Sequence, residues 1–255
     1  MKVFPSRTTT ADRPTLRDRP AFYAAGRGGW RDYVTLLHPP YTLWHLSYVV
    51  LGAALAPTVR YDRLGATLLA FFLAVGIAAH ALDELSGRPL RTRIPDAVLR
   101  ILAALGLAGA VAVGVVGVLL TSIWLLPFIA FGVFIVLAYN LEWFRGRFHT
   151  DLWFALAWGV FPFSTAYWAS AEEVRLSGLF GALAVLALSL TQRTLSSRVR
   201  SLRRRAQSVQ GTVVYADGSS ETLDKAFLLR PDERALVFLS MAMVALSVGV
   251  LVARA

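Results

Sequence analysis

Long, nearly uninterrupted apolar blocks constrain this chain more than any other feature. Seven of them run at about Tyr41–Val59, Leu64–Leu82, Val98–Leu119, Ile123–Tyr139, Leu152–Ala169, Leu176–Leu190 and Ala235–Val252. A soluble core would break such runs with charge at a helix or strand period, whereas blocks of about 18 apolar residues predict membrane spans. The composition agrees, at 56% hydrophobic against 16% charged residues. The predicted fold is therefore all-α: a polytopic transmembrane helix bundle of about seven spans. With no cysteine in the chain, thiolate chemistry, disulfides and Cys-based metal sites are excluded.

The charges then orient the bundle. Residues 1–37 form a polar, Arg-rich N-terminal arm without the apolar core of a secretory signal, so the first block is expected to stay as a span. Asp32 to Leu37 reads as a short interfacial helix. With the N-terminus inside, Arg60, Arg63, Arg175 and Arg254 fall outside, and the other 22 of the 26 Lys and Arg fall on the cytoplasmic side. That asymmetry is what the positive-inside rule requires, and it predicts an inner-membrane protein with a cytoplasmic N-terminus and an external C-terminus. It also assigns the net charge of +10 to anionic lipid at the cytoplasmic face rather than to nucleic acid.

The remaining organisation follows from local signals. Residues 38–191 hold six of the spans. Gly106, Gly109, Gly114 and Gly117 permit close helix approach in the third, and Gly159 with Pro162 predicts a kink in the fifth. Residues 192–234 form a basic segment with six arginines between Arg193 and Arg205. Within it, Asp217-Gly218 between two β-prone runs predicts a small cytoplasmic β-hairpin. Residues 235–255 supply the last span.

Three polar exits gather on the cytoplasmic face. The second span ends in His80, Asp83 and Glu84, with His80 on one helix face with both carboxylates. Ionisable groups at a bilayer edge are functional candidates. His80 with Asp83 reads as a metal-ligand or general-base pair, or as a polar cap where a helix meets water. The fourth span ends in Tyr139-Asn140, followed by Glu142 and His149-x-Asp151. His45, in the first span, reads as a hydrogen-bonded structural residue. The third exit, Arg193 to Arg205, reads either as a polybasic segment on anionic lipid or as guanidinium forks for phosphate oxygens from Arg193, Arg198 and Arg200.

Three stretches together resemble the UbiA superfamily of intramembrane prenyltransferases. His38-Pro39-Pro40 through Gly52 and Ala56 resembles the family's opening. Ala79 to Leu90 resembles its first aspartate-rich motif, and Tyr139 to Asp151 followed by Gly159 its fourth-span exit and fifth span. The resemblance implies transfer of a prenyl group from a prenyl diphosphate to an aromatic or lipid acceptor, assisted by Mg²⁺. It implies Asp83 as Mg²⁺ ligand with Glu84, and His80, Asp83 and Glu84 as the catalytic group. Arg88, Arg91, Arg193, Arg198, Tyr139 and Asn140 would bind substrate. The chain departs from the family at His80 and Gly87, where aspartates are usual. It departs again at Thr191 to Arg198, where the second aspartate-rich motif would stand, and in having seven spans rather than nine. The alternative is a non-catalytic relative, a lipid-binding or scaffold protein, acting alone or with a second copy or a membrane partner.

Overall fold

Proline sets the start of the first long helix. The computed structural model describes residues 19–25 and 28–254; the rest of the predicted N-terminal arm lies outside the described residues. A short helix, α1 (Trp30–Leu36), matches the interfacial helix within two residues. His38 then takes a left-handed conformation and Pro39-Pro40 open α2 (Pro39–Leu55), where a missing N–H costs no helical hydrogen bond. Helix α2 stops at Ala56, before Pro57, several residues short of the predicted Val59.

The following helices run up and down with short connections. Helix α3 spans Tyr61–Leu85 and contains a π-helical stretch, Phe72–Ala79. Helix α4 is Asp96–Leu120. A single 3₁₀ turn, Ile123–Leu125, leads into α5 (Leu126–Asn140). Helix α6 covers residues 151–171 and carries its own π stretch, Leu156–Val160. The expected Gly159/Pro162 kink is thus a widened turn, one of the known ways a helix absorbs such residues. Helix α7 (Leu176–Arg204) continues 14 residues past the predicted end at Leu190, so most of the arginine run is helical. After the hairpin β1 (Thr212–Val214) and β2 (Ser220–Thr222), α8 (Lys225–Val252) begins ten residues before Ala235. The hairpin is antiparallel with Val214 opposite Ser220, and Gly218 supplies the positive φ its turn requires.

Helix α2 lies at the centre. Trp44, Tyr48, Val49 and Ala53 are fully buried or nearly so. One side packs on α3, α5 and α6 through Val49, Phe71, Ile135 and Trp158. The other packs on α6, α7 and α8 through Tyr48, Phe163, Val185 and Met243. The approach to α6 is tight, because a Cβ on Gly52 would run into the Phe163 carbonyl. Small residues at such contacts let helices pack in lipid, where water supplies no driving force. Leu105, Phe180 and Phe238 stand exposed on the outside, an arrangement suited to hydrocarbon. Five helices, α3, α4, the 123–140 segment, α7 and α8, are long and apolar enough to cross a membrane.

The two ends of the bundle differ. At one, Arg63 donates to the Ala169 carbonyl at 2.7 Å and pairs with Glu172, and Arg254 donates to the Pro57 carbonyl at 2.6 Å. These tie α3 to the end of α6, and the residues after α8 to the end of α2. The other end collects the starts of α2, α6 and α8 with the ends of α3, α5 and α7. Here a polar chamber opens.

Candidate functional site

Helix geometry brings the chamber's walls together from distant parts of the sequence. The first turns of α2 supply His38, Tyr41 and His45. The last turns of α3 supply His80 and Asp83, and the end of α5 supplies Tyr139 and Asn140. His149 comes from the loop before α6, and α6 adds Phe154 and Trp158. Gln192, Arg193, Arg200 and Arg204 of α7 and the segment Pro20–Tyr23 complete the lining. The enclosed volume is about 220 Å³. All four histidines of the chain line this one cavity.

The histidines are held in similar ways. His45 Nδ1 lies 2.6 Å from the Trp158 carbonyl, His80 Nδ1 3.2 Å from that of Gly76, and His149 Nδ1 3.1 Å from that of Tyr139. Trp158 and Gly76 both sit inside π stretches, where the shifted backbone ladder offers a carbonyl to a second donor. His38 Nδ1 meets the Tyr23 hydroxyl at 2.8 Å, and its ring stacks on His80 with centroids 4.2 Å apart and planes at 10°. Its Nε2 is buried without a partner. Burial first, then the neighbouring His80, Arg204 and Arg200 charges, hold the His38 imidazole well below its ordinary pKa. Burial likewise pushes the Tyr23 phenol well above its usual range.

The cationic wall follows from helical spacing. Arg200 and Arg204 lie seven and eleven residues beyond Arg193, so one face of α7 carries all three. Arg193 bonds Asp151 at 2.7 Å and lies 4.9 Å over the Phe154 ring. Arg200 donates to the Ser196 and Ser197 hydroxyls. Arg204 Nε is buried without a partner, as is Gln192 Oε1. Among the described residues Asp83 is the one carboxylate lining the chamber, and it makes no hydrogen bond or ion pair with any of them. A cavity with three guanidiniums and one carboxylate carries a net positive field suited to a multiply charged anion.

The structure brings His80, Asp83, Tyr139, Asn140 and Arg193 together, as the sequence suggests, and leaves four other candidates elsewhere. Glu84 is fully buried outside the chamber, accepting hydrogen bonds from the Leu90 and Thr92 amides at 2.9 and 2.8 Å and from the Thr92 hydroxyl at 2.8 Å. Its oxygens hold the 84–92 loop, which explains a carboxylate at that depth without a metal. Arg88 folds back onto the Thr92 and Ile94 carbonyls and pairs with Asp96. Arg91 is exposed and does not line the chamber. Arg198 points away and pairs with Asp232 at 3.2 Å.

Sequence reasoning missed His38, Tyr41 and Arg204, and it favoured a structural role for His45 over a ligand's. The period of α7 would have pointed to Arg204; nothing local marks His38 or Tyr41. Of the two carboxylates that the resemblance implies for Mg²⁺, Asp83 lines the chamber and Glu84 does not. Glu84 is engaged, and among the described residues no three His, Asp or Glu side chains lie close enough together to hold a metal. No protein-family model, curated protein or solved structure matches the chain.

Proposed function

We propose that this chain is a seven-span, UbiA-like membrane protein whose chamber binds the diphosphate head of a prenyl diphosphate and transfers the prenyl group to an acceptor. The single observation that carries this reading is the pair Arg200 and Arg204, two cations lining a cavity with no hydrogen bond or ion pair to an acidic side chain among the described residues. Guanidinium forks match phosphate oxygens, and with Arg193 they stand where the family's second carboxylate motif is missing. Their task is to stabilise charge as it collects on the leaving diphosphate. The Tyr139 and Trp158 rings, packed edge to face at 5.4 Å, offer aromatic faces to a developing allylic cation. An apolar groove of about 530 Å³ supports a path for the chain. Val75 and Trp158 line the chamber, while Phe71 and Phe161, one turn further along the same helices, line the groove.

The proposal adds α2 and α6 to the five long apolar helices. Helix α2 has 17 residues, about 25 Å of rise, slightly short of a hydrocarbon core of about 30 Å. The charge asymmetry supports a cytoplasmic chamber end, hairpin and N-terminus.

A second reading draws on Glu84. With that carboxylate committed to the loop, Asp83 alone remains, and the same arginines would hold an anionic lipid headgroup without chemistry.

Thermal unfolding of the detergent-purified protein with geranylgeranyl diphosphate tests both readings. A ligand that binds the folded form at a hundredfold excess over its Kd stabilises by about 2.7 kcal/mol. The expected result is such a shift in wild type and none in Arg200→Gln/Arg204→Gln. Binding with no release of diphosphate under any acceptor would favour the lipid-binding reading, and no binding would sink both.

A further inference from the structure

We propose that the wall formed by α2 and α3 is a second subsite, which recognises a neutral group bearing an O–H or N–H proton and accepts that proton on His80 Nε2. This rests on the prenyl diphosphate reading for its co-substrate, though the subsite itself is argued from its own geometry.

A backbone carbonyl can only accept a hydrogen bond. His45, His80 and His149 each place Nδ1 against one, so Nδ1 carries the proton in the neutral ring. Nε2 then keeps a lone pair and no hydrogen. His38 Nε2 is buried with no partner, and its ring lies flat on that of His80. Two stacked imidazoles facing Arg200 and Arg204 cannot both be charged without strong repulsion. Asp83, three residues after His80, adds carboxylate oxygens to the same wall. The chamber therefore has chemically opposite sides. Helix α7 presents three guanidiniums, which only donate, beside the Gln192 amide; α2 and α3 present imidazole nitrogens and a carboxylate that accept, beside the Tyr41 hydroxyl. An anion satisfies the first, and a protic group satisfies the second.

The step balances without a further reagent. The acceptor's proton passes to His80 Nε2 while its oxygen or nitrogen pair forms a bond to C1 of the prenyl chain. The bond from C1 to the diphosphate oxygen breaks, its electron pair stays on that oxygen, and Arg200 and Arg204 hold the product.

Phenol and its methyl ether, anisole, share the ring and the oxygen and differ in whether that oxygen carries a proton or a methyl group, so they test the subsite directly. Protein labelled with ¹⁵N-histidine, in detergent, reports the tautomers through its ring correlations. The expected spectrum shows Nδ1–H tautomers for His45, His80 and His149. Phenol is expected to shift the Nε2 signal of His80 and anisole to leave it in place, with or without geranylgeranyl diphosphate. His80→Gln, which also assigns the signal, is expected to bind geranylgeranyl diphosphate within twofold of wild type and to lose transfer at least a hundredfold. Should that variant fail to fold, His38→Gln assigns the stacked pair instead. Equal responses to phenol and anisole, or an Nε2–H tautomer at His80, would overturn the subsite. Absence of geranylgeranyl diphosphate binding to wild type would overturn the donor reading and leave the phenol comparison to decide the subsite alone.

Discussion

Asp83 and Glu84 are neighbours on α3 with opposite fates. Glu84 is built into the fold by three hydrogen bonds; Asp83 stands in the chamber with none from the described residues. A buried acceptor that loses such partners costs about 1–3 kcal/mol per group left unsatisfied. Glu84→Gln should therefore lower stability by about 2–4 kcal/mol in thermal unfolding, while Asp83→Asn should leave it unchanged or raise it. Comparable losses from both would show that Asp83 is structural too. His38 gives a pH prediction. Its folded pKa lies well below the ordinary 6.5, so below that pH the unfolded chain binds a proton that the folded chain does not. Stability must then fall as pH drops through about 6.5. His38→Gln should make that decline shallower, and an unchanged slope would remove His38 as a cause. Sequence spacing brought His80 near both carboxylates, but two adjacent helical residues differ by about 100° in direction. Which one faces the cavity depends on the loop that returns to claim Glu84.

Elements were legible where a local rule decides them. Pro39-Pro40, the apolar blocks and Asp217-Gly218 each announced a helix start, a helix or a turn. The length of α7 was not legible, because the arginines end the hydropathy signal while the backbone continues as helix to Arg204. The π stretch of α3 was hidden too, since no proline marks it, whereas that of α6 stands where Gly159 and Pro162 predicted a kink. Close packing makes its own prediction. Gly52→Ala would drive a Cβ into the Phe163 carbonyl and should cost about 3 kcal/mol. Gly65→Ala, in α3 with open space around it, should be neutral or stabilise by up to about 1 kcal/mol through helix propensity. Equal effects at the two positions would contradict the close approach of α2 and α6.

The whole molecule is a set of antiparallel helices with a polar chamber at one end. The chain has no cysteine, so single substitutions can map its orientation cleanly. Ser219→Cys in the hairpin and Ser86→Cys after α3 should react with an impermeant maleimide from the cytoplasmic side, and Glu173→Cys from the other. A Glu173→Cys that labels together with Ser219→Cys would break the seven-passage arrangement. The chamber itself was half legible: its residues were named in three separate exits, but the shared cavity arises only when α2, α3, α5, α6 and α7 meet. Its central claim is that cations on α7 hold an anionic head. Equilibrium binding of tritiated geranylgeranyl diphosphate to the purified protein, with unlabelled geranylgeraniol as competitor, tests it most directly. The account predicts saturable binding that geranylgeraniol displaces poorly, and at least a hundredfold weaker binding in Arg200→Gln/Arg204→Gln. Binding that the alcohol displaces as well as the diphosphate does, or that survives loss of both arginines, would contradict it.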